Sequence, residues 1–146
     1  MKRTNERVEP ERLRERIREA GLRCTAARFT VLRFLNEAAA PVTHAEVTTA
    51  LAEQGFDRAT VYRNLIELTE AGILSRVDLG NHIWRFELRD AADHPNDHPH
   101  FVCVDCGAVS CLDEVSVTVK RSRGMRAKTL GRITEILLRG HCPACS

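Results

Sequence analysis

Two C-x-x-C pairs, Cys103-Val-Asp-Cys106 and Cys142-Pro-Ala-Cys145, constrain this chain more than any other feature. A C-x-x-C turn brings two thiolates close enough to share one ion. A second pair completes a tetrahedral sulfur site, the geometry zinc takes in closed structural centres. Between Cys106 and Cys142 lie 35 residues, more than in compact zinc ribbons, so a shared ion would clip together the two ends of a subdomain. A disulfide pair and a redox dithiol are the alternatives. The opening Met1-Lys2-Arg3-Thr4-Asn5-Glu6 is polar and does not read as a signal peptide, which implies a cytoplasmic protein. In that compartment C-x-x-C serves metal binding or catalysis more often than disulfide bonding. The spacing therefore points to structural zinc on Cys103, Cys106, Cys142 and Cys145.

At 146 residues and 43% hydrophobic content, the length fits one domain or two small ones that share a border. No apolar run approaches the ~20 residues of a membrane span, so no membrane partner is expected. Net charge is only +2, but residues 1–36 carry ten Lys and Arg against five Glu, an excess of +5. Lys2, Arg3 and Arg7 begin this series and Arg28 and Arg33 end it. A basic face of this kind is either a phosphate footprint or a solvated helix laced with Glu–Arg pairs.

Pro10 suits the first turn of a helix whose stripe is Leu13, Ile17 and Ala20 or Gly21. Gly21 ends it. Thr25 caps a second helix with Phe29, Val31, Leu32, Phe34 and Leu35 inward, and Pro41-Val42 breaks it. Thr43 and Glu46 have capping-box spacing and open a third helix through Val47 and Leu51 to Gly55. Asp57 or Thr60 opens a fourth. There Val61, Leu65 and Leu68 face inward and Tyr62, Arg63 and Asn64 outward. The period then switches. Ile73 to Leu79 and His82 to Leu88 read as strands around a two-residue Gly80-Asn81 turn. The last three helices and the hairpin describe a winged helix, with the fourth helix as the one that enters the major groove. Residues 89–100 read as a linker or ligand-bearing loop. Beyond it, Phe101 to Cys103, Ala108 to Leu112 and Arg132 to Leu138 look like strands, and Val115 to Val119 alternates like another. The expected fold is α+β: a winged helix over residues 1–88, a hinge and metal-ligand loop over 89–100, and a small zinc-bound α/β dimerisation domain over 101–146.

Several stretches recur in order: Ala20-Gly21-Leu22-Arg23-Cys24-Thr25, Ala59-Thr60-Val61-Tyr62-Arg63-Asn64-Leu65, Phe86-Glu87-Leu88, His98-Pro99-His100-Phe101-Val102-Cys103-Val104-Asp105-Cys106-Gly107 and Gly140-His141-Cys142-Pro143-Ala144-Cys145. Together they resemble the ferric uptake regulator family of metal-dependent bacterial repressors, from about residue 13 to the end. The resemblance implies a homodimer that binds AT-rich palindromic double-stranded DNA when a sensing metal is loaded. It implies that Arg23 enters an A·T minor groove, where narrow width concentrates negative potential. Tyr62 and Arg63 match the recognition pair, reaching thymine methyls and base edges or phosphate. Arg58, at the helix start, touches phosphate.

His98-x-His100 lies directly before the first cysteine pair, and alternate residues of an extended segment point the same way. Both imidazoles then face one ion, and the alternative is a solvated loop. Glu87 matches the position where the family supplies a carboxylate from its DNA-binding domain. Three departures stand out. The family's histidine before the third helix falls on Pro41, with His44 three residues on as a substitute or a surface capping-turn residue. The carboxylate five residues past Cys106 is Cys111, which favours zinc over manganese and leaves iron open, or else is a small buried apolar group. The secondary metal site falls on Thr118 and Thr134 and is expected to be absent. Val115 to Leu130 also lacks the family's helical pattern. His82, His94 and His141 read as surface or turn residues. The expected cofactors are a structural zinc and a second regulatory divalent ion, zinc, iron or manganese.

Two other regulatory readings stay open: a thiol or peroxide sensor working through Cys24, Cys111 or iron at His98 and His100, and a DNA-binding protein whose zinc is only structural. An enzyme is not expected, nor a small organic substrate. His44-Ala45-Glu46 with a later C-x-x-C has the outline of a deaminase signature. However, neither Cys103 nor Cys142 follows a proline, and four thiolates leave zinc no position for a catalytic water.

Overall fold

The computed structural model describes residues 8–89, 98–112, 114–120, 123–124, 131, 133 and 135–146. Lys2, Arg3 and Arg7 of the basic series, most of the linker with His94, Arg132, and Thr134 lie outside the described residues. The chain divides into two compact units, Met1–Pro95 and Asn96–Ser146.

In the first unit the helix starts follow from local chemistry. Pro10 opens α1 (Pro10–Glu19) without forfeiting a hydrogen bond, because N–H groups of a first turn have no intrahelical acceptor. Leu13 and Ile17 form its buried stripe, whereas Ala20 is exposed and Leu22 packs against the core in its place. Thr25 caps α2 (Ala26–Glu37), its Oγ1 accepting from the Arg28 N–H at 3.2 Å. Thr43 and Glu46 form the full capping box of α3 (His44–Leu51). A 3-10 turn over Ala52–Gln54 and a left-handed Gly55 at φ 80° then redirect the chain, a backbone state that glycine adopts freely. Asp57, rather than Thr60, caps α4 (Arg58–Glu70) by accepting from the Thr60 N–H at 2.6 Å. Val61, Leu65 and Leu68 of α4 join Leu32, Leu35, Val47 and Phe86 in one core.

The wing departs from the expected two-residue hairpin. β2 (Leu74–Asp78) pairs antiparallel with β3 (Trp84–Leu88), in register from Leu74 opposite Leu88 to Asp78 opposite Trp84. The loop therefore runs from Leu79 to Ile83. Asp78 Oδ1 accepts from the N–H groups of Gly80 and His82, and Asn81 Oδ1 from that of Ile83. These side-chain acceptors replace ladder bonds and widen the turn. His82 takes φ 59° within it. A further strand, β1 (Val42–Thr43), pairs with β3 to give the order β1-β3-β2. Two residues before a helix carry too little alternation to announce a strand.

The second unit is a sheet in the order β5-β4-β6. β4 (His100–Cys103) pairs antiparallel with β5 (Val109–Cys111) and parallel with β6 (Leu137–Gly140). The expected strand at Val115 to Val119 is not formed: Val115–Lys120 have no regular structure and are exposed. Alternation alone gives no strand without a partner edge, because backbone groups then remain bonded to water.

Candidate metal centres and nucleic-acid interface

The parallel register of β4 and β6 places Cys103 beside Gly140, so both cysteine turns lie at the same end of the sheet. Gly107, left-handed at φ 72°, closes the first turn with its N–H on the Cys103 carbonyl. In the second, the N–H groups of Cys145 and Ser146 reach the Cys142 carbonyl. Gly140 permits the close approach, since a Cβ there would lie 3.2 Å from the Phe101 ring. The four sulfurs of Cys103, Cys106, Cys142 and Cys145 all lie within 4.8 Å of one another, with Cys106 and Cys142 at 3.8 Å. A zinc tetrahedron with bonds of about 2.3 Å has edges of about 3.8 Å, so the donor set fits that ion. None of the four is joined in a disulfide. Backbone N–H groups of Cys106 and Cys142 bring the Cys103 thiol down to about 6. Cys145, held against Cys142, Cys106 and Cys103, is pushed up to about 12. Crowding negative sulfurs resists the later deprotonations, and a bound dication relieves it.

A link between the turns went unseen in the sequence. His141 Nδ1 lies 2.5 Å from Asp105 Oδ2, tying the residue before Cys142 to the residue before Cys106. His141 is thus more than a turn residue.

On the same sheet, His100 stands opposite Cys111. The rings of His98 and His100 lie 4.9 Å apart, near edge to face. His98, His100 and Cys111 offer donor atoms all within 4.8 Å of one another, and His100 is fully buried. Two imidazoles and a thiolate suit zinc or another borderline divalent ion. Glu87 belongs to the first unit, on β3, and is 3% exposed.

The face expected from the sequence to meet DNA lies on α3 and α4. Tyr62 is 50% exposed, and Arg58 and Arg63 are exposed beside it on the first turns of α4. Asn64 departs from expectation: it is buried, with Nδ2 donating to the Thr60 carbonyl at 2.9 Å. His44 is neither isolated nor merely a cap. Its Nε2 lies 3.0 Å from the Arg58 carbonyl, and its ring tilts against Tyr62 at 5.1 Å between centroids. Arg23 is exposed in the turn between α1 and α2. Not every cation of the basic series is available to phosphate. Arg28 is 9% exposed and paired with Glu67, Arg12 bonds Glu15 at 3.0 Å, and Arg14 lies over the Phe29 ring.

A helix-turn-helix with a wing, accompanied by a four-thiolate metal cage, defines a class: DNA-binding transcription regulators that carry metal. Residues 19–135 match the ferric uptake regulator family. The ferric uptake regulation protein of Legionella pneumophila is 34% identical over 137 residues, covering 90% of this chain and 96% of its own. Two solved structures are similar over most of the chain. The ferric uptake regulator of Vibrio cholerae superposes with a TM-score of 0.63 at 25% identity, over 88% of this chain and 98% of that one. That of Pseudomonas aeruginosa with manganese gives 0.60 at 28%, over 88% and 96%. The chain belongs to the ferric uptake regulator family: it is a metal-responsive transcriptional repressor and not an enzyme. Among the described residues no helix is long and apolar enough to cross a membrane.

Proposed function

We propose that this chain is a cytoplasmic, homodimeric repressor that grips AT-rich palindromic operators when a second divalent ion is held by Glu87, His98, His100 and Cys111. A permanent zinc sits in Cys103, Cys106, Cys142 and Cys145. The observation that carries the reading is the convergence of His98, His100 and Cys111, with donor atoms within 4.8 Å, on the sheet that carries the cysteine cage. Glu87 supports it as a carboxylate withdrawn from water, where attraction to a cation is stronger than in solvent. The ion supplies positive charge and a fixed coordination geometry. An ion that takes one ligand from the wing and three from beyond the hinge favours a single arrangement of the DNA-binding unit, through differential affinity for that state. Zinc suits the thiolate and imidazoles best, iron is next and manganese least.

In this reading Arg23 enters the minor groove, Tyr62 and Arg63 read the major groove, and Arg58 holds a phosphate. Dimerisation is supported by Val115, Val117, Val119 and Ile133, exposed apolar side chains of the second unit, since apolar surface taken from water against a partner is stabilising.

Metal content per chain, before and after mild chelation, tests the proposal with binding to an AT-rich palindromic duplex followed in parallel. Two ions per chain are expected, the second removable, with its loss releasing DNA. His98→Ala and His100→Ala should keep the fold, hold one zinc and lose the metal-dependent binding to the duplex. One zinc in the wild type, with chelation leaving DNA binding unchanged, would make zinc purely structural and move the sensing role to Cys24 or Cys111.

A further inference from the structure

The strongest unexplained feature of the winged helix is a partly buried ion pair between α2 and the recognition helix α4. Arg28 stands in the first turn of α2, three residues after the Thr25 cap. That position is poor for a cation, because the N-terminal end of a helix is itself positive. Burial adds a desolvation cost. The side chain is nevertheless 9% exposed, and both ends of its guanidinium fork are committed. Nη2 donates to Glu67 Oε2 on α4, and Nη1 donates to the main-chain carbonyl of Arg23 at 2.7 Å. The Thr25 N–H donates to the same carbonyl at 3.0 Å. The Arg23 backbone is thus held from two sides, while its own side chain is exposed. Glu67 lies four residues after Arg63 on α4, so the two share a helix face. Because Arg28 occupies Glu67, that carboxylate does not draw Arg63 back onto its own helix.

An ion pair with one partner partly in solvent contributes little to stability, but this one fixes a distance. We propose that Arg28 and Glu67 are positioning residues that lock the Arg23 turn to the recognition helix, so that each protomer reads minor and major groove as one rigid unit. The inference rests on the DNA contacts proposed above for Arg23, Tyr62 and Arg63. Lysine cannot replace Arg28, since a single ammonium does not reach two acceptors in a planar fork.

The test uses the zinc-loaded full-length protein and two duplexes that share a palindromic core. One has A·T flanks where Arg23 would enter the minor groove. In the other those flanks are G·C, which changes the minor-groove acceptor pattern. The wild type is expected to prefer A·T flanks by about tenfold, a typical size for one such coupled contact, and Arg23→Ala to abolish the preference. Arg28→Lys and Glu67→Gln should abolish it as well, with Arg23 still present. Adding Arg23→Ala to either should then cost nothing further. Circular dichroism should stay helical, and the loss caused by Arg63→Ala on the core should remain. If the two variants keep the flank preference, or if their effects simply add to that of Arg23→Ala, the positioning role is overturned. Should Arg23→Ala be neutral while Arg63→Ala weakens binding, the inference falls and the DNA-binding reading stands. If both are neutral, the DNA contacts themselves are wrong.

Discussion

Asp57 shows how much one side chain decides at the corner of the helix-turn-helix. Hydrogen bonds from the Thr60 backbone and side chain, followed by the charge of Arg63, hold its carboxyl below the usual aspartate value. The folded state therefore prefers the ionised cap. Its contribution is complete above the ordinary aspartate value of about 4 and is lost as pH falls through the lower folded value. Comparing thermal midpoints of wild type and Asp57→Ala from about pH 5 down to about pH 2 should show a gap that closes toward acid. A gap independent of pH would remove the ionised cap from the account. Cys111 is the other decisive residue. In the proposed sensing site a thiolate here, opposite His100, would shift the preference among metals toward zinc and away from manganese.

At the scale of elements, chemistry at their N-termini sets where α3 and α4 begin, and their apolar stripes pack the two together in one core. The Thr43–Glu46 box starts α3, Gly55 turns the chain, and His44 reaches across to the first carbonyl of α4. Thr43→Ala should cost about 1 kcal/mol of stability in urea titrations, as is typical for a lost N-cap. Leu65→Ala, at a fully buried core position, should cost about 2–5 kcal/mol. Equal losses would mean that the cap carries more of the fold than its hydrogen bonds explain.

The molecule as a whole is built unevenly. The winged helix has a continuous apolar core, whereas in the second unit Cys103 is the one buried hydrophobic residue among those described. In the proposed reading a zinc ion and a partner chain add to the stability of this unit. Cys103→Ser or Cys142→Ser should therefore unfold residues 96–146 while the winged helix stays folded, because structural zinc contributes on the order of 10 kcal/mol. Limited proteolysis read by mass spectrometry would locate the cuts. A variant as resistant as wild type would remove the structural zinc from the account.

Much of this was legible in the chain itself. Caps, breakers and the change of period are local, so Pro10, Thr25, Thr43, Asp57 and Gly55 announce where helices begin and turn, and paired C-x-x-C announces a shared ion through fixed turn geometry. His98-x-His100 is legible for the same reason, since alternation puts both rings on one side. What depended on residues far apart was not legible. The parallel register of β4 with β6 joins cysteine turns separated by 35 residues, and β1 exists only because β3 offers it an edge. Asn64 turned inward and Val115 to Val119 remained unpaired. The Arg28–Glu67, His44–Tyr62 and Asp105–His141 contacts likewise needed the folded chain. Local dihedral and capping preferences are written into neighbouring residues, whereas burial and pairing are decided by which surfaces the complete fold brings together.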